Sequence, residues 1–487
     1  MESKPLYQKP VAIAAAAILL IVVVVATLMA TGIIPSLFVG NSDTEAHYTE
    51  LERHRAEQRA AAPDNAPAQS GDQPAEAAAA SAPNANASTT EAVKPAAAKS
   101  PLTYWTDYRG PNRDGRYEEA RVATNWPADG LQPVWKQPVG GGYASFVVAE
   151  GQAYTIEQRR GQEVVAAYDI QTGRELWTHG WNAEFVESMG GDGPRATPTW
   201  HEGRVYALGA TGELRCLEAK TGKPIWSRNI LKDNGAQNLE WGMSGSPLIV
   251  DDKVIVLPGG TSGKSVAAYN RLTGQPVWQS LNDRQGYVSP MLAQLAGKRQ
   301  VVVITSNRVV GIEIADGSLL WEHPWNTSMG INCSQPIAVS DNRLFISSGY
   351  GKGAAVIEIS KNGDSFATRT VWENTAMKNK FNSSILHDGY IYGLDEGILT
   401  CVDVATGERK WKGGRYGYGQ MLLASGHLIV LSDTGELALV KATPDRHTEV
   451  AKFAALEGKT WNYPALAGGR LLVRNANQMA CYNISGG

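Results

Sequence analysis

The side chains able to do chemistry in this 487-residue chain are four Cys, eight His and a scatter of acids. Their spacing argues against most reactions. Cys216, Cys401 and Cys481 share one setting: Leu214-Arg215-Cys216-Leu217, Leu399-Thr400-Cys401-Val402 and Met479-Ala480-Cys481-Tyr482. A setting repeated inside apolar runs is a core position, where free Cys packs as a small hydrophobe. Cys333, in Ile331-Asn332-Cys333-Ser334, stands ahead of a strand instead, and packing is its expected role as well. No Cys-x-x-Cys-His occurs, so no c-type haem is attached. His201, His387 and His427 recur at one place of a repeat and cannot share a metal ion. The acids Glu184, Glu187, Asp192, Glu240 and Asp283 read as solvated loop charges.

The candidates for binding are aromatic and hydrogen-bonding side chains in loops that lead into apolar runs. They are Tyr143, Arg195, Glu240, Trp241, Ser244, Tyr287, Asn332, Asn382, Tyr418, Trp461 and Asn462. Aromatic faces beside hydrogen-bonding groups suit a polar ligand or an extended peptide. Gly140-Gly141-Gly142 and Gly190-Gly191-Asp192-Gly193 permit close backbone approach. No helical pattern follows either, so neither is a phosphate loop.

The elements that must carry these loops are strands. From residue 101 onward, apolar runs such as Val254-Ile255-Val256-Leu257 alternate with turn signals, which reads as all-β. Five segments share an acid or amide, then Thr-Gly or Asp-Gly, then Trp four residues after the Gly. They end at Trp177, Trp226, Trp278, Trp321 and Trp411, with a stretched copy at Trp372 and an eroded one at Val450. Gly supplies the positive φ of a tight hairpin, and Asp or Asn sets the turn. From Trp135 the Trp-to-Trp intervals are 42, 49, 52, 43, 51 and 39 residues, the length of a four-stranded propeller blade. Eight openings recur at Ser145, Thr197, Ser246, Ser289, Gln335, Ser383, Gln420 and Tyr463. The orphan strand Val134-Trp135-Lys136 is expected to complete the last blade and close the ring.

The Asp-x-x-Thr-Gly-x-x-x-Trp repeat, over about residues 102–485, resembles the PQQ-like (quinoprotein-type) eight-bladed β-propellers. The segment Trp105…Arg109-Gly110-Pro111-Asn112-Arg113-Asp114-Gly115 resembles a lead-in of bacterial repeat proteins of this kind. The resemblance implies two functions. One is a binding or scaffold module for a protein or polar ligand, as in the propeller subunit of outer-membrane protein assembly. The other is a PQQ-dependent, alcohol-dehydrogenase-like enzyme with PQQ and calcium as cofactors. The enzymes of that group hold PQQ against a disulfide of adjacent Cys, and no adjacent Cys pair exists here. The module is therefore the favoured expectation, with no catalytic residue and no metal ligand assigned.

The rest of the chain is different material. Val11 to Val39 is uncharged for 29 residues, preceded by Lys4 and Lys9. About 20 apolar residues cross a bilayer, so a retained transmembrane signal anchor is expected over 11–39. Residues 1–10 would be cytoplasmic and the propeller, 101–487, periplasmic. Residues 43–100 read as an Ala/Pro-rich linker, helical over 44–62 and extended beyond. With 45 basic against 48 acidic side chains, a nucleic-acid surface is not expected. The expected molecule is a monomeric propeller on the inner membrane, with an envelope protein as partner.

Overall fold

The structure is a computed structural model that describes residues 39–61, 104–127 and 129–486. Apart from Val39, the expected transmembrane span lies outside the described residues, and so do linker residues 62–100. Among the described residues no helix is long and apolar enough to cross a membrane. The chain divides into two compact units, Met1–His54 and Arg55–Gly487. The helix expected over 44–62 runs Val39–Ala60 and carries an Arg53–Glu50 ion pair at 2.6 Å.

The larger unit is an all-β, eight-bladed propeller. Seven blades are antiparallel four-stranded meanders, from Val147–Asn182 (blade 1) to Gln420–Ala454 (blade 7). Blade 8 consists of Ala465–Ala467, Arg470–Arg474 and Gln478–Asn483. Its outermost strand is Pro133–Pro138, from the start of the domain. That pairing closes the ring as expected. Second and third strands are buried on both faces, as in Ile429 and Val430 against Leu439 and Ala438, so the core is a set of apolar layers between blades.

The repeated Gly and Trp clamp one blade to the next. Trp177 of blade 1 lies over Gly222 in the turn of blade 2, and its indole N–H donates to Ala219 O at 2.9 Å. Gly222 has φ 74°, and a Cβ there would stand 2.3 Å from the Trp177 ring. Glycine is required twice over, for its backbone conformation and for the approach of the ring. The same indole-to-carbonyl bond recurs from Trp135, Trp226, Trp278, Trp372 and Trp411. Trp321 departs from the pattern and donates to Gln300, within its own blade. It faces blade 5, whose outer hairpin is lengthened to Gly353–Asn374, and this accounts for the stretched copy.

The lead-in segment does not lie on the outside of the ring. Trp105 exchanges backbone hydrogen bonds with Val148 in the inner strand of blade 1, and Thr106 O accepts from Trp200 N in blade 2. Arg113 donates to the carbonyls of Ser246, Pro247 and Pro290 in blades 3 and 4 and pairs with Asp107 at 3.1 Å. Arg109 donates to Ser384 O of blade 6 at 2.6 Å. Arg116–Tyr117 then pairs in parallel with Leu423–Ala424 of blade 7. Residues 105–117 thus fill the axis, bonded to the inner strands of six blades. Arg109 and Arg113 hold positive φ, 64° and 57°. That conformation is costly for non-Gly residues and is kept here by the carbonyls their side chains reach.

Candidate functional site

Each loop entering an inner strand carries two repeat positions with different tasks. The opening position, Ser145 through Tyr463, knits the blades together. Ser145 N–H donates to Thr197 Oγ1, Ser246 N–H to Ser289 Oγ and Gln335 N–H to Ser383 Oγ, each at 2.9 Å. Gln335 Nε2 reaches Ser289 O, Gln420 Nε2 reaches both Phe381 O and Trp461 O, and Ser145 Oγ reaches Tyr463 O. With Thr199 Oγ1 donating to Pro247 O, all eight seams carry such a bond near the axis. These buried hydroxyls and amides satisfy backbone groups that no neighbouring strand can reach.

Two residues upstream stand Tyr143, Arg195, Ser244, Tyr287, Cys333, Phe381, Tyr418 and Trp461. All but Tyr418 line one axial cavity of about 300 Å³. Its walls are largely aromatic. Phe381 and Trp461 stand with ring centroids 4.5 Å apart, Tyr143 and Trp461 at 5.5 Å, and Trp241 and Tyr287 at 5.5 Å. Tyr108, from the axial segment, contributes to the cavity and meets Tyr463 edge-on at 5.0 Å. Two buried polar atoms of lining residues, Gln420 Oε1 and Tyr463 Oη, have no hydrogen-bond partner.

The charge at the mouth has one sign over the rings. Lys380 Nζ stands 4.4 Å from the Tyr418 ring centroid and donates to that hydroxyl at 2.7 Å. Lys459 Nζ stands 4.4 Å from the Trp461 ring centroid, and the Arg195 guanidinium carbon 5.7 Å from that of Tyr143. Among the described residues no carboxylate forms an ion pair with any of the three. Burial holds Arg195 below its ordinary value against the pull of Tyr143 and Glu187. Burial also lowers Lys459, against the pull of Glu187. Glu187 accepts from the amides of Met189 (2.7 Å) and Gly190, and Asp192 accepts from Glu187 N at 3.0 Å. These two acids fold their own loop. Burial pushes the Cys333 thiol up to about 12, so it carries no thiolate with which to attack a substrate at neutral pH. Burial likewise lifts Tyr143 and Tyr287 to about 12.

The structure brings together six of the eleven candidates read from the sequence: Tyr143, Arg195, Trp241, Ser244, Tyr287 and Trp461. The other five are placed elsewhere. Glu240 is exposed beside Trp241. Asn332 is buried and bridges Thr305 O and Ser348 Oγ. Asn382 and Asn462 occupy the position just before each strand opening, which turns away from the axis. Asn462 bonds Gly142 O and Ala144 O of blade 1. Asn382 accepts from Asn379. Tyr418 packs beside the cavity, 5.2 Å from Phe381. Cys333, read as a packing residue, lines the cavity; Cys216, Cys401 and Cys481 are buried in third strands. Sequence reasoning missed Phe381, Tyr350, Met189 and Tyr108. Counting two residues back from each strand opening would have found Phe381. Tyr108 carries no repeat signal.

Calcium requires a donor set that these residues do not make. Calcium takes six to eight oxygens, with carboxylates prominent. None of the described residues lining the cavity is an acid. Among the described residues no group of three or more His, Cys, Asp or Glu could hold a metal ion. The walls offer aromatic faces and cations for a ligand, and none of the described lining residues is a carboxylate or imidazole that could take a proton from an alcohol.

Comparison with known proteins gives a consistent set. The family model described as outer membrane protein assembly factor BamB matches residues 160–413. A 1-butanol dehydrogenase (cytochrome c) of Thauera butanivorans is 28% identical over 163 residues, which are 32% of this chain and 22% of that protein. The outer membrane protein assembly factor BamB of Yersinia pestis is 22% identical over 279 residues, 54% of this chain and 67% of that protein. Among solved structures, the quinohemoprotein alcohol dehydrogenase of Comamonas testosteroni superposes with a TM-score of 0.57 at 15% identity. That match covers 79% of this chain and 81% of the other. At such identity the likeness carries the fold alone.

Proposed function

The chain belongs to the PQQ-like repeat β-propeller family, and on that premise we propose that it is an envelope-facing binding or scaffold module for a partner protein. The observation that carries this is the axial cavity, walled by Tyr143, Tyr287, Phe381 and Trp461 and free of carboxylates among its described lining residues. Such a site can grip a ligand by burial of apolar area and by cation contacts, and has no group placed for acid–base work. The name of the Yersinia pestis relative, an assembly factor, supports a protein partner. The uncharged run 11–39 supports an inner-membrane anchor with the propeller on the periplasmic side.

Photo-crosslinking tests this. The full chain carrying p-benzoylphenylalanine in place of Ser244 samples the cavity; the same group at Val277 samples the perimeter. A discrete protein adduct from the Ser244 position and none from Val277 is expected. No adduct from Ser244, together with dye reduction by the chain supplied with PQQ and calcium, would replace the module by the dehydrogenase.

A further inference from the structure

We propose that the axial cavity takes one apolar or aromatic anchor side chain of an extended acidic segment of the partner, whose flanking carboxylates meet Arg195, Lys380 and Lys459. This rests on the binding-module reading and adds the chemistry of the partner to it.

Charge is the first ground. Arg195 and Lys459 stand over cavity rings and Lys380 over Tyr418 beside them, and their hydrogen bonds go to neutral groups: Tyr418 Oη, Gly190 O, and the carbonyls of Gly191 and Gly193. The nearby Glu187 and Asp192 are consumed by loop amides, and Glu240 points its charge to solvent. Arg195 and Lys459 feel Glu187 and Asp192 without forming an ion pair with either, so a carboxylate delivered by a ligand adds a charge-assisted hydrogen bond that they lack.

Size is the second. A cavity of about 300 Å³ stands at the low end of ligand sites. It holds one anchor group, and the remainder of the ligand must lie over the mouth. The mouth is prepared for that. Met189 and Met329 are 70% exposed and Val186 is 67% exposed, the three most exposed large apolar side chains among the described residues. All three sit in the loops that deliver Met189 and Ile331 to the cavity. An exposed apolar rim marks a protein contact, and Met adapts its shape to a partner segment.

The test is fluorescence anisotropy on the full chain in detergent with a labelled acetyl-Asp-Glu-Trp-Glu-Asp-amide peptide. Its Lys/Arg counterpart and its Trp-to-Gly version are the controls. Saturable binding of the acidic peptide is expected, with weak or no binding of both controls. The paired change Lys380→Gln and Lys459→Gln should weaken binding about tenfold, which is about 1.4 kcal/mol, with an unchanged melting temperature. Equal binding of the basic peptide, or no effect of the paired change, would overturn the proposal. If neither peptide binds while the Ser244 adduct still forms, the acidic segment is excluded and the binding module stands. If the adduct is absent as well, both fall.

Discussion

At the perimeter of the ring, six blades make one contact over and over: an indole N–H to a carbonyl of the next blade, with the ring laid on its turn. At the axis, the position two residues before each strand opening holds eight side chains of six kinds: Tyr, Arg, Ser, Cys, Phe and Trp. The first region solves a problem that every blade shares, so one solution is repeated. The second faces a single space that no blade owns, and each blade contributes something different to it. Between them runs the belt of hydroxyls and amides that ties all eight seams, freeing the loop tips to vary. Stability should therefore depend on the perimeter and the belt, and recognition on the loop tips.

That division can be broken by substitution. Trp177→Ala removes a buried ring from a seam and should cost roughly 3–5 kcal/mol, read as a lowered melting temperature; a change under 1 kcal/mol would show that the clamp is decorative. The axial segment is the case that could blur the division, since it is structural yet touches the cavity. Arg113→Met strips donors from the carbonyls of Ser246, Pro247 and Pro290 and should cost roughly 3 kcal/mol. Chemical denaturation measures it, and retention of wild-type stability would mean the axis holds without the plug.

Glu163 lies between the two regions and supplies a pH test. It accepts from Ala210 N at 2.7 Å, across the seam of blades 1 and 2, and from the Trp181 indole of its own blade at 3.1 Å. Burial lifts its carboxyl to about 7, against the lowering effect of those bonds. A carboxyl whose folded value is raised favours the fold below its unfolded value and loses that contribution as pH rises through about 7. The wild type should thus weaken between about pH 5 and pH 8. Glu163→Gln should remove the slope and add roughly 2–3 kcal/mol at pH 9. Equal slopes for both chains in thermal melts would refute the burial argument. The smallest effect belongs to the loop tips: Lys380→Gln should change stability by no more than about 0.5 kcal/mol. A larger drop in melting temperature would place the mouth cations in the fold itself.

What could be read from the sequence follows the same divide. The period of Gly and Trp specifies the blades, the closure by Val134-Trp135-Lys136 and the buried Cys216, Cys401 and Cys481, because each is a local pattern repeated along the chain. The cavity is legible only in part. Tyr143, Tyr287 and Trp461 stand out as aromatics in entry loops, but Asn382 and Asn462 look equally eligible until the fold spends Asn462 on a neighbouring blade and Asn382 on Asn379 of its own loop. Tyr108 and Arg113 are least legible. Arg113 reaches carbonyls of blades 3 and 4, and a carbonyl leaves no mark in a sequence; Tyr108 meets the ring of Tyr463, at the far end of the chain.

The most direct measurement is hydrogen exchange of the full chain, free and crosslinked through the Ser244 position to its partner. Protection is expected in the entry loops, at residues 140–146, 184–197, 283–289, 378–383 and 457–463, with the outer strands Pro224–Asn229 and Pro276–Ser280 unchanged. Protection confined to those outer strands, with the entry loops exchanging as in the free chain, would contradict recognition at the axis.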